Sequence, residues 1–261
     1  MKIADSLRQE CMPEIIYTIC KLVGSKTYKK DEIKSYITLN CDSVQEYNKA
    51  FAFASECGFI KVNSDEKVST VFTKEQLSSF RSFRHAIFMD VFKGEPTVFS
   101  SLAKWYLTQK SDVFGIKSAQ DLAVKFPKEI FAGKEKDSAL GFRFWMVALG
   151  LCMFSKTGNS LSLIFATNNA IQDWLEFEKP FKKGTTILAK EFISKLVAEC
   201  PVFESCVEGN QLNLALSMGL RVLHLNGVIE LKYVTDSGDI WHLVESISNP
   251  RTNKITEIIV R

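Results

Sequence analysis

Apolar residues recur at helical spacing and then switch to alternation three times along the chain, each time across a glycine. After Pro13, a good first-turn residue, Ile15, Ile16, Ile19, Leu22 and Val23 predict a helix that Gly24 closes. Lys30, Asp31, Glu32 and Ile33 open a short second helix with Ile33, Tyr36 and Ile37 turned inward. Asp42 or Ser43 is placed to cap a third helix, whose buried face is Val44, Tyr47, Phe51 and Ala54 and whose end is Gly58. Phe59 to Val62 reads as a strand, Asn63 to Glu66 as a turn, and 67–72 as the returning strand.

A connecting helix is predicted over 74–92, and the break at Gly94-Glu95-Pro96 opens a second round. Helices are expected over 98–108, 118–126 and 138–149, then a hairpin from Leu151 to Phe154 and from Leu161 to Phe165 around Lys156-Thr157-Gly158-Asn159. The third round has helices over 171–177, 188–199 and 211–225. A strand over 228–234, a turn at Asp236-Ser237-Gly238-Asp239 and a return over 240–244 follow, with a last strand over 255–260 that pairs there or covers another edge.

The junctions align as Glu56-Cys57-Gly58-Phe59-Ile60, Ala148-Leu149-Gly150-Leu151-Cys152 and Leu225-Asn226-Gly227-Val228-Ile229. In each, glycine permits the left-handed geometry that turns a helix directly into a strand. The expected fold is therefore mainly α with small β-hairpins, an α+β chain of three units over 1–93, 94–167 and 168–261. Unrelated helices and hairpins in one α+β domain are the alternative.

Three helices followed by a two-stranded hairpin resemble a winged helix-turn-helix, and the whole chain resembles tandem winged-helix proteins. That resemblance implies one of two functions. One is non-catalytic binding of duplex DNA, as a regulator or accessory subunit in a bacterial DNA-processing or phage-defence system. The other is a scaffold that uses its winged helices only to dock protein partners.

Composition narrows the choice little. The 261 residues are 46% hydrophobic with twenty Phe, enough for aromatic-rich cores and too apolar for disorder. Net charge is +3, divided as +2, +1 and 0 over residues 1–94, 95–180 and 181–261, so DNA contact must come from local patches. Seven cysteines without a CxxC pair read as reduced core thiols of a cytoplasmic protein. The start of the chain lacks a signal-peptide pattern, and no apolar run is long enough to span a membrane.

In the first unit, a winged helix would contact DNA through the start of its third helix and through its wing. Those positions hold Ser43, Gln45, Asn48 and Lys49, with Lys61 and Lys67 in the hairpin and Lys26, Lys29, Lys30 and Lys34 around the second helix. Asp42, Glu46, Asp65 and Glu66 dilute the patch, and a merely solvated surface fits the same residues. The second unit offers Lys134, Lys136 and Arg143. The third has Asp236 and Asp239 in its wing, which suits a protein partner or self-association.

Catalytic signals are absent. The three histidines have no ligand spacing, and neither phosphate-loop, GxGxxG nor GxSxG patterns occur. Glu230-Leu231-Lys232 matches the E-x-K spacing of some metal-dependent nucleases but reads more simply as two charges on an exposed strand face. No cofactor or metal is expected.

Overall fold

The computed structural model describes residues 12–38, 45–131, 136–158, 160–235, 239–248 and 250–261. The chain divides into two compact units, Met1–Phe99 with Ala119–Leu149 and Ser100–Ser118 with Gly150–Arg261. The segment expected to form a separate middle unit, 94–167, is thereby shared between the two.

In the first unit, α1 (Pro13–Ser25) buries Ile16, Ile19, Cys20 and Val23. Gly24 does not close it. The helix runs on to Ser25, and a Cβ at Gly24 would meet Leu77 Cδ1 at 2.5 Å and Thr70 Cγ2 at 3.5 Å. This glycine therefore serves a close approach between segments. A two-residue strand, β1 (Tyr28–Lys29), leads into α2 (Lys30–Thr38), of which only Ile33 is fully buried. Tyr36 faces outward, 58% exposed, and meets Tyr28 edge-on at 5.4 Å.

The expected cap at Asp42 or Ser43, and Val44, lie outside the described residues. Helix α3 (Gln45–Glu56) buries Tyr47, Ala50, Phe51, Phe53 and Ala54. Beyond Gly58, β2 (Ile60–Val62) and β3 (Lys67–Thr70) pair antiparallel, and β1 adds to β3, giving the sheet order β1-β3-β2.

The connecting helix α4 (Phe80–Lys93) starts later than expected because Ser79 caps it, accepting from the Ser82 amide at 3.0 Å. Phe83 joins Phe72 and Phe59 in an aromatic core, with ring centroids 4.8 and 6.5 Å away. Helices α5 (Val98–Leu107), α6 (Ala119–Lys125) and α7 (Lys136–Ala148) follow. Trp145 of α7 stacks on Phe53 at 5.8 Å, and Phe142 meets Phe99 and Phe126 at 5.7 and 5.4 Å.

In the second unit, β4 (Cys152–Thr157) and β5 (Ser160–Phe165) form a hairpin whose Leu163 carbonyl accepts from buried Tyr106 Oη at 2.7 Å. Then come α8 (Asn168–Phe177), β6 (Thr186–Leu188), α9 (Ala189–Glu199), β7 (Val207–Glu208) and β8 (Gln211–Leu212). Helix α10 (Leu214–Leu225) begins at Asn213, whose side chain accepts from the Leu216 amide at 3.1 Å. Gln211 and Leu212 thus precede the helix that was expected to contain them.

The largest departure lies beyond Gly227. The strand β9 (Ile229–Lys232) does not pair with the next strand, β10 (Trp241–His242), as a hairpin would require. Instead β10 pairs with β11 (Lys254–Ile255) and runs parallel to β8. The last strand, β12 (Glu257–Val260), inserts between β6 and β9, giving the order β6-β12-β9. Both units therefore follow a helix with a first strand, then with two main helices and a strand, and place the last strand of the sheet between the other two.

The junction glycines behave as their chemistry requires, with φ of +70° at Gly58, +75° at Gly150 and +69° at Gly227. Among the described residues no helix is long and apolar enough to cross a membrane.

Candidate nucleic-acid interface

Helix α3 is open on one side. Gln45, Asn48, Ala52 and Ser55, spaced three and four apart, are all exposed and form one uncharged stripe. A groove of about 770 Å³ runs beside it, lined by Lys30, Asn48, Phe51, Ala52, Ser55, Glu56, Val62 and Glu66. The opposite face of α3 is anchored by Tyr47, whose hydroxyl donates to the Lys30 carbonyl at 3.1 Å. Burial, and secondarily the Asp31 carboxylate, push that phenol well above its ordinary range.

Of the ten residues expected to meet DNA, nine lie among the described residues, and they do not share one surface. Lys30 and Asn48 line the groove, with Gln45 exposed at the start of the same helix. Lys30 also lays its ammonium 5.3 Å from the Phe51 ring centre, and its amide donates to the Glu66 carbonyl at 3.3 Å, tying α2 to the β2–β3 turn.

Lys29, Lys61 and Lys67 share the outer face of the sheet. Lys29 stands directly opposite Lys67, and Lys61 opposite Ser69, while Val68 between them points into the core. Lys26 lies just past α1, its ammonium 5.5 Å from the Tyr28 ring. Lys34 and Lys49 are half-buried on their helices, Lys49 at the edge of the stripe, four residues after Gln45 and three before Ala52, and Ser43 lies outside the described residues. Glu56 and Glu66 bring negative charge into the groove itself.

Sequence reasoning missed Ala52, Ser55 and Val62. Extending the three-and-four spacing from Gln45 and Asn48 would have found the first two.

Among the described residues, the other candidates do not form comparable surfaces, and Lys134 lies outside them. Helix α10 occupies the position in the second unit that α3 occupies in the first, yet Leu225 is its one exposed residue. Its flank meets Val244, Thr252 and Asn253. Arg221 holds these residues, donating to the Val244 carbonyl at 2.5 Å, Thr252 Oγ1 at 2.8 Å and Asn253 Oδ1 at 2.9 Å. Asp239 is paired with Lys190 at 3.5 Å, and Asp236 lies outside the described residues. Arg143 is buried at 5% exposure and offers nothing at a surface.

Glu230 and Lys232 of the E-x-K run form an ion pair at 3.7 Å, and Arg261 also grips Glu230. The hydrogen bond from Arg261 holds the Glu230 carboxyl below its ordinary range. Glu257 faces Lys232 across the sheet. Among the described residues, no three His, Cys, Asp or Glu side chains gather to hold a metal ion. His224 is occupied structurally, its Nδ1 accepting from the Leu231 amide at 3.3 Å.

No family model, curated protein or solved structure matches this chain.

Proposed function

We propose that residues 12–72 are a winged helix that binds duplex DNA, and that the chain acts as a non-catalytic DNA-associated protein. The open uncharged stripe on α3, with Lys30 in the groove beside it and Lys49 at its edge, carries this reading. Gln and Asn on an exposed helix can pair with base edges in a major groove, where an α-helix fits. Lys29, Lys61 and Lys67 on the outer face of the sheet, and Lys30 in the groove, supply phosphate contacts. Within this reading, the second unit has the same sheet order but a covered third helix, and takes the part of docking a partner protein or another copy.

A specific observation favours the competing reading, in which the first unit also binds protein. Glu56 and Glu66 line the very groove beside α3 and would repel phosphate.

Fluorescence anisotropy with labelled duplex DNA at two salt concentrations separates the two. DNA binding predicts a log–log salt slope between about −3 and −4, for four lysines at roughly −0.9 each. Lys29→Glu/Lys67→Glu should abolish binding, and Asn48→Ala should flatten discrimination between sequences. No binding at about 50 mM salt would leave protein docking as the function of this face.

A further inference from the structure

We infer that the second unit carries a nucleotide-binding cavity, with lysines for the phosphates and an apolar wall for the base. The cavity holds about 860 Å³ and lies between the end of α8, residues 178–185, the Gly227-Val228 step into β9 and the end of β12. That volume lies within the range of small-molecule sites, roughly 300–1,000 Å³.

Lys179, Lys182 and Lys183 line it within five residues of chain, and none of the three makes an ion pair among the described residues. Glu176 is the single carboxylate in the lining. Arg261 is already engaged by Glu230 and so fixes a wall without offering a free charge. Leu175, Phe181 and Val228 make the apolar side, and Phe181 is itself held by stacking on Phe192 at 5.5 Å.

Three unpaired ammonium groups this close in sequence can converge on one compact, multiply charged anion, whereas an acidic peptide spreads its charges along a strand. The apolar wall asks for a ring beside that anion. A nucleotide di- or triphosphate combines both.

Lys179 supplies a second, independent observation. It sits immediately past the last cap of α8 with φ of +50°, a left-handed position that glycine normally fills at a helix end. A lysine at that angle carries backbone strain that glycine would relieve.

The test is calorimetric titration of the full chain with ADP, inorganic pyrophosphate and a mixed-sequence single-stranded oligonucleotide. ADP should bind more tightly than pyrophosphate, and Lys182→Glu/Lys183→Glu should weaken ADP about tenfold or more. Lys179→Gly should raise Tm and weaken ADP binding together, an outcome that a purely structural lysine would not give. Lys29→Glu/Lys67→Glu, in the other unit, should leave ADP binding unchanged. Failure of ADP to bind at about 1 mM would overturn the proposal. So would binding that the Lys182/Lys183 variant leaves intact, or, in the Lys29→Glu/Lys67→Glu background, oligonucleotide binding that ADP does not displace. None of these outcomes depends on whether the first unit binds duplex DNA.

Discussion

Gly58 and Gly150 adopt nearly the same backbone angle, but their surroundings differ. A Cβ at Gly58 would meet nothing within 4 Å, whereas one at Gly150 would lie 3.0 Å from both the Ala170 amide nitrogen and Asn169 Cβ. Gly58→Ala therefore carries only the left-handed penalty, about 1 kcal/mol. Gly150→Ala adds a backbone clash and should cost distinctly more in a urea unfolding series. Five described cysteines, Cys20, Cys57, Cys152, Cys200 and Cys206, are buried. Burial pushes the Cys20 and Cys206 thiols up to about 12, against an ordinary value of 9.0, although hydrogen bonds from Thr70, and from Asn213 and Ser205, pull the other way. Unfolded, these thiols lose their protons near pH 9; folded, they keep them to about pH 12. The folded chain thus binds more protons in that window, and stability falls as pH rises from 9 to 12. Alkylation by iodoacetamide at neutral pH should label none of the five until denaturant is added.

At the scale of elements, the Lys29–Lys67 pair sets stability against binding. Two like charges directly opposite on antiparallel strands repel, so Lys67→Glu should stabilise the first unit by about 0.5 kcal/mol. The same change should remove DNA binding, and a thermal melt beside an anisotropy titration reads both. Helix positions were legible in the sequence because their apolar spacing is long and regular, as along α1, α8 and α9. The positive φ at the three junctions was legible because only glycine adopts it cheaply. What escaped was short or decided at a distance. β1 is two residues, too few to show any period. Tyr36 has the spacing of a core residue, yet its ring rests on Tyr28 at the surface. Residues 240–244 alternate like a returning strand, but alternation says which face is buried and not which strand is the neighbour. Within the candidate interface, the lysines were legible as a cluster; that the sheet places three of them on its outer face needed the register.

At the scale of the whole molecule, the two units close their sheets by different routes. The first joins β2 to β3 through a four-residue turn, Asn63 to Glu66. The second waits for β12, which pairs with β6 across roughly seventy residues of chain, a loop whose closure is entropically dearer and slower. A chain truncated after Thr256 should therefore lose the second unit's cooperative unfolding while the first keeps its own, visible as one surviving transition by calorimetry.

Because β12 is the middle strand and not an edge, the second unit without it presents two facing strands with a vacant lane between them, about 9–10 Å wide. Any β12 that reaches that lane completes the sheet equally well, including one from a neighbouring molecule. Slow refolding at high concentration should accordingly produce strand-exchanged dimers through the second unit, a route that the first unit's tight hairpin closes off.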